Sequence, residues 1–556
     1  MNTRLAQLFI FFSCSLYTAY SSYGQEKLIY HEIKTDDQGN ILPWYEDDPG
    51  ISYDHIVKLV FDFWHNMRRD YNGLPYYMNH QVWRDDMNDP RGLGGDQLNM
   101  ALSSWGLLYA YTGNEKIKTN MAFMADYYLA HSLSSPECEW PNVPYPYNTS
   151  IYSGYYDGDM VIGKGYFQPD KAGSFGIELV KMYKMWSQER APNESYLNYL
   201  RAAIKIANTL ADHIQPGDYD NSPMPFKVHA ETGEIGPLKH NNRKPGDAGL
   251  SSYTSNWTGI LYLFESLIEL GEGDIEAYKK GKETIIKWMK EYPMKNNRWG
   301  PFFEDIPGWS DTQINAMTWT RYMMLHREEF PNWENDIPKI IEWVYETMGN
   351  EQWKKYGVTV VNEQTVYQTP GNSHTSRQAA DELLFYSLTR QEDKYTHCIR
   401  QLNWATYMVD HDGKNRYPRD ENWLTDGYGD YVRHYLRAMA AVPEIAPDAD
   451  HLLSSTSVVM RVDYGNVKKY LTPLLWGIDY QDITVSYQVF DDSGMEVLRL
   501  KEKPKMIHIN GQPIKELNQL NQQGFTWKPL EEGGILTIKR TNGVKVGIFN
   551  KVIKKD

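Results

Sequence analysis

Within eight residues, "PGNSHTSR" (370–377) places a histidine between an asparagine and an arginine. Asn372 and Arg377 are of the types that hold an anion, and His374 is of the type that exchanges a proton near neutral pH. A second stretch, "KHNNRK" (239–244), offers the same set in His240, Asn242 and Arg243, and Tyr253 follows on the same loop. Together these residues suit removal of a weakly acidic C–H next to a carboxylate. Arg and Asn would neutralise the carboxylate, so that the charge developing on carbon is stabilised. A His or Tyr would take the proton, and the other would protonate the leaving oxygen. In this reading His374 and Tyr253 are base and acid in unassigned order, with His240 as a reserve base. Arg377, Asn372, Arg243, Asn242 and Arg84 would hold the anion. Trp257, Trp309 and Tyr428 offer flat apolar faces with a polar edge and would stack on sugar rings. The reaction needs no cofactor.

The same loops also carry Asp85, Asp86, Asp157, Asp159, Asp311 and Asp426. Paired carboxylates would serve glycoside hydrolysis instead, although an Asp pair beside an Arg is more simply a loop clamp. "YYDGDMVIGKG" lacks the twelve-residue calcium-loop pattern and reads as a Gly-rich turn, so no metal is expected.

The elements that must position these residues recur along the chain. A polar loop, a largely apolar helix, a short turn and an amphipathic helix repeat five times, beginning at "DQLNMALSSW", "SFGIELVKMY", "SNWTGILYLF", "TQINAMTWTR" and "SRQAADELLF". The last of these inner helices is expected to be apolar on nearly every side and hence buried. The turns carry breakers such as "TGNE" and "GEGD". Helices expected at 53–69 and 428–442 can pair as a sixth hairpin and close a ring. The fold expected is mainly α, an (α/α)6 toroid over 25–450, with its long loops converging on one mouth. From about 455 to 556, period-2 alternation ("DITVSYQVFD", "GILTIKRTNG") indicates a C-terminal antiparallel β-sandwich.

Composition sets the outer bounds. The chain has 556 residues, 41% hydrophobic and 14% aromatic, with a formal net charge of −15. An acidic chain is a poor nucleic-acid binder, because that binding depends on phosphate neutralisation by Lys and Arg. Residues 1–24 read as a secretory signal peptide, which implies a periplasmic or secreted protein. No later stretch is apolar for long enough to span a membrane. Cys138 and Cys398 leave either one disulfide or two buried thiols, the second being the simpler reading.

Beside this bottom-up reading, "KAGSFGIELVKMY", "DTQINAMTWTRYM" and "WLTDGYGDYVRHYLRAMAAVPEIAP" resemble proteins from carbohydrate-utilisation loci of marine Bacteroidetes. In architecture the whole mature chain resembles (α/α)6-toroid polysaccharide lyases and unsaturated glucuronyl hydrolases. Within these it looks most like the ulvan-degrading set, including its oligosaccharide dehydratase. The resemblance implies β-elimination on uronic-acid-containing oligosaccharides, with an anionic oligosaccharide as the partner. Two rivals stand beside it: an unsaturated glucuronyl hydrolase using an Asp such as Asp157 or Asp311, and a non-catalytic glycan-binding protein.

Overall fold

The computed structural model describes residues 27–69, 73–78, 95–145, 164–187, 195–236, 251–302, 309–391, 394–416, 429–465 and 483–550. His240, Asn242, Arg243, Arg84, Tyr428, Asp157, Asp159 and the signal segment 1–24 lie outside these residues.

Six helices form an inner ring: α2 (Gly95–Thr112), α4 (Pro169–Trp186), α6 (Thr258–Leu270), α9 (Gln313–Leu325), α11 (Asn372–Thr389) and α13 (Asp430–Ala441). Each packs on the next, and α13 returns to α2. The outer helices are α1 (Pro49–His65), α3 (Glu115–His131), α5 (Ser195–His213), α7 (Ile275–Glu291), α10 (Trp333–Met348) and α12 (Tyr395–Thr406), with a single turn, α8 (Pro293–Asn296), after α7. Five outer helices pack on the inner helix that precedes them, and α1 packs on α13, so the sixth hairpin joins the two ends of the helical part.

Local chemistry marks the boundaries. The Asp48 carboxylate accepts from the Ile51 N–H at 3.0 Å and Pro49 opens α1; Asp274 likewise caps α7 through the Ala277 N–H at 3.0 Å. Gly271 ends α6 at φ +72°, a left-handed cap that favours glycine. The approach of α4 to α6 depends on small residues: a Cβ at Gly173 would stand 2.1 Å from Ile260 Cγ1. The largest buried apolar cluster runs through the ring and its outer helices and includes Trp105, Trp257, Trp319 and Trp404.

Among the described residues nine C-terminal strands follow: β1 (His451–Ser455), β2 (Val459–Tyr464), β3 (Ile483–Val489), β4 (Gly494–Leu500), β5 (Met506–Ile509), β6 (Gln512–Pro513), β7 (Gly524–Pro529), β8 (Gly534–Arg540) and β9 (Lys545–Phe549). They make two antiparallel sheets, ordered β7-β8-β4-β1 and β6-β5-β9-β3-β2. Inward residues of both sheets, among them Leu498 and Leu536 from one and Val485 and Ile548 from the other, share one buried cluster. The first two strands pack on α2, α4 and α13. Tyr464 donates to the Ala110 carbonyl at 2.6 Å, and a His451 ring nitrogen lies 2.8 Å from the Tyr111 carbonyl. Ala110 and Tyr111 end α2, so the sheets sit at the C-terminal ends of the inner helices and leave the N-terminal ends as the other face.

Cys138 and Cys398 form no disulfide with each other. Among the described residues, no helix is long and apolar enough to cross a membrane.

Candidate active site

The N-terminal ends of the inner helices carry a band of buried polar side chains. Helix starts leave N–H groups unpaired and favour negative charge, so polar groups and anions collect there. On α11, Asn372 is the first residue; its Oδ1 accepts from the Ser373 N–H at 2.7 Å, and its Nδ2 has no hydrogen-bond partner among the described residues. His374 is buried in the same turn, against the cap residue Gly371. A Cβ at Gly371 would lie 2.4 Å from His374 Nδ1 and 3.3 Å from Glu363 Oε1, so this glycine is needed for space. Burial, reinforced by the Arg377 charge, pushes the His374 pKa down to about 3, and the imidazole is neutral at physiological pH.

Arg377 does not project freely into this face. It is 1% exposed; Nη2 pairs with Asp430 Oδ2 at 2.9 Å and Nη1 donates to Gln313 Oε1 at 3.2 Å. Gln313 Nε2 in turn donates to the His374 carbonyl at 3.2 Å and to Gln378 Oε1 at 3.1 Å. Asp430 also pairs with Arg433. Burial pulls the Asp430 pKa up, but Arg433 and Arg377 outweigh it and hold the carboxyl well below its usual range. Arg377 therefore fixes α11 to α9 and α13, and much of its charge is offset before any ligand arrives.

Tyr253 belongs to a second cluster. Its hydroxyl donates to the Arg298 carbonyl at 2.6 Å, and burial drives its pKa up, so it stays protonated. Its ring centroid lies 5.1 Å from that of Trp309. The Arg298 guanidinium stacks 4.2 Å from the Trp309 centroid and 5.0 Å from that of Tyr253. Asp311 is clamped: one oxygen accepts from the Gly300 N–H at 2.8 Å and the other from Trp309 Nε1 at 2.9 Å. Residues 311–313 join the two clusters, because the Thr365 N–H donates to the Asp311 carbonyl at 3.0 Å and the Gln313 N–H to the Glu363 carbonyl at 3.3 Å. Trp309 is half-buried and keeps an accessible edge. Trp257 is fully buried in the core at the start of α6, with no face open to a ring, so a stacking role is corrected to a packing one.

A third group was not singled out from the sequence. Asp170 and Lys171, at the start of α4, are both buried. Asp170 Oδ2 accepts from Lys171 Nζ and from Asn256 Nδ2, each at 2.8 Å, and Oδ1 has no partner among the described residues. Lys171 Nζ stands 3.3 Å from the Phe302 ring centroid. The available signal was the "QPDKAG" start, which puts two charges in the first turn of an otherwise apolar helix.

No family model matches the chain, and no curated protein matches it. Among solved structures, cellobiose 2-epimerase from Spirochaeta thermophila DSM 6192 covers 71% of this chain and 97% of its own, with a TM-score of 0.50 at 14% identity. An unsaturated glucuronyl hydrolase specific for heparin covers 72% and 98%, with a TM-score of 0.41 at 10% identity. A polysaccharide lyase covers 71% and 97%, with a TM-score of 0.41 at 10% identity. The structural neighbours are (α/α)6-toroid enzymes that act on glycans, and what this chain shares with the epimerase is that fold.

Proposed function

We propose that this protein is a carbon–oxygen lyase that acts by β-elimination on uronic-acid-containing, ulvan-type oligosaccharides, as a dehydratase or a polysaccharide lyase. The observation that carries the reading is His374: a neutral imidazole buried at the start of an inner helix, beside an asparagine amide whose donor has no partner among the described residues. The imidazole takes the C5 proton of the uronate while Asn372 faces its carboxylate. The bound carboxylate adds negative charge and raises the proton affinity of the ring. The C5 electron pair forms the C4=C5 double bond and the C4–O bond breaks. Tyr253, protonated, gives its proton to the leaving oxygen and exchanges its bond to the Arg298 carbonyl in doing so. Trp309, with Arg298 behind it, is the sugar platform. His240, Arg243, Asn242, Arg84 and Tyr428 are assigned to the remaining contacts from their place in the sequence. We read the two C-terminal sheets as a sandwich and residues 1–24 as a secretory signal, in keeping with an extracellular or periplasmic glycan substrate.

A second reading, hydrolysis of an unsaturated uronyl group by a carboxylate, has Asp170 in its favour, with one buried oxygen unengaged among the described residues. Asp311 does not serve it, since both its oxygens are occupied. Ultraviolet absorbance separates the two. The protein is mixed with oligosaccharides ending in saturated or unsaturated uronate. A rise on the saturated substrates is expected, and a mass loss of one water then identifies a dehydratase. A fall on the unsaturated substrates would transfer the chemistry to Asp170, and no change on either would sink both readings.

A further inference from the structure

One side of the ring, made by α9, α11 and α13, carries more positive than negative charge. On α9, α11 and α13 stand four guanidiniums, Arg321, Arg377, Arg433 and Arg437, against three carboxylates, Asp381, Glu382 and Asp430. His374 and His434 add no charge, because burial holds both neutral. This local excess of one positive charge sits inside a protein of net charge −15. Arg377 is enclosed, whereas Arg321, Arg433 and Arg437 each keep partial solvent access although helices surround them. Their side chains converge inside the ring, with Arg437 in electrostatic reach of Arg321, Arg433 and Asp381. Arg437 on α13 and the Tyr262 hydroxyl on α6 lie within electrostatic reach of each other, yet these helices stand on opposite sides of the ring.

Two of the three guanidiniums are partly committed. Arg321 pairs with Asp381 at 3.0 Å; Arg433 pairs with Asp430 and donates to Ser103 Oγ at 2.6 Å. Arg437 has no hydrogen bond or ion pair with another described residue; burial together with its neighbours Arg321 and Arg433 lowers its pKa to about 9, against a smaller opposing effect of Asp381. Glu265, the nearby acid on α6, is already taken by Lys282, Tyr322 and His326. A cation held inside a protein without a partner is costly. Planar, fixed guanidinium forks around a low-dielectric space match the geometry of an oxyanion.

We propose that the toroid lumen is a binding site for an oxyanion, held by Arg321, Arg433 and Arg437 with the Tyr262 hydroxyl. The occupant is a sulfate, phosphate or carboxylate group, either as a free ion or as a substituent of a glycan reaching down from the mouth. The site does not depend on the elimination reading.

Calorimetric titration of the full chain tests it, with sodium sulfate and sodium glucuronate as separate probes and chloride balancing the ionic strength. Saturable binding of at least one probe is expected. The probe that binds tells a tetrahedral group from a carboxylate, and competition by a sulfated oligosaccharide tells a free ion from a substituent. Arg437→Met should weaken binding about tenfold or more, the loss expected for one charge-assisted partner. It should also raise Tm in anion-free buffer, because an interior charge with no partner among the described residues is gone, whereas a purely structural arginine would lower it. Should that variant not fold, Arg437→Lys keeps the charge and loses the fork, and weaker sulfate binding is still expected. Wild-type protein that binds neither probe, or variants that bind as tightly as wild type, would overturn the proposal. Binding is read without turnover, so this test can fail while the lyase assignment stands, and the reverse.

Discussion

His374 has two measurable consequences. If it is the base, His374→Ala lowers kcat by about 10²- to 10⁴-fold, the usual contribution of a general base, and substrate-dependent absorbance checks this. Independently of catalysis, its pKa of about 3 lies below the ordinary value of 6.5. The unfolded chain therefore takes up a proton that the folded one refuses. Stability is full above about pH 6.5 and falls as pH drops toward 3, by a few kcal/mol for a group this buried. His374→Gln should flatten the fall in unfolding free energy over that window, as read by urea denaturation at a series of pH values. Asp430→Asn would strand Arg377 and Arg433 without their shared carboxylate and cost about 3–5 kcal/mol, measurable by the same method. At this scale the sequence was legible only by type. "PGNSHTSR" announced a base and anion holders, but nothing local said that Arg377 is committed to Asp430, its partner on another helix. For the same reason Asp170 and Lys171 went unmarked: their partners, Asn256 and Phe302, come from distant segments.

Among the elements, hydrophobic periodicity carried most of the information. The repeated loop–helix–turn–helix pattern located the hairpins, and the pairing of the two ends was visible because each end held one unmatched helix. One expectation is corrected. The helix at 372–389 is buried, but not because it is apolar all round: Asn372, Thr375, Arg377, Gln378, Asp381 and Glu382 are all buried on it. Neighbouring helices engage several of them, as when Tyr345 donates to Glu382 Oε1 at 2.7 Å and Arg321 to Asp381 at 3.0 Å. Helix-to-helix contact also gives a prediction. Gly173→Ala would drive a methyl against Ile260 and should destabilise the protein by about 1–3 kcal/mol through overpacking. Chemical denaturation checks it, and Ile260→Val in the same chain should recover part of the loss.

Across the whole molecule, the two sheets cover one end of the ring, and the candidate site occupies the other. Tyr464 spans the junction: its hydroxyl donates to the Ala110 carbonyl and accepts from the Leu452 N–H at 2.9 Å. Tyr464→Phe should lower stability by about 1–3 kcal/mol, since a buried N–H and a carbonyl lose their partner, while KM and kcat stay unchanged if the chemistry is at the far end, as proposed. Thermal unfolding and steady-state kinetics on one preparation test both halves. The split hairpin bears on the history of the chain as well as on its shape. α1 emerges first and waits for α13, which brings Asp430, Arg433, His434 and Arg437 with it. Such long-range closure is slow. During synthesis the barrel stays an open crescent until nearly all the helical part is present. Its charged interior is then assembled in a single late event, when the last helix carries that charge into place.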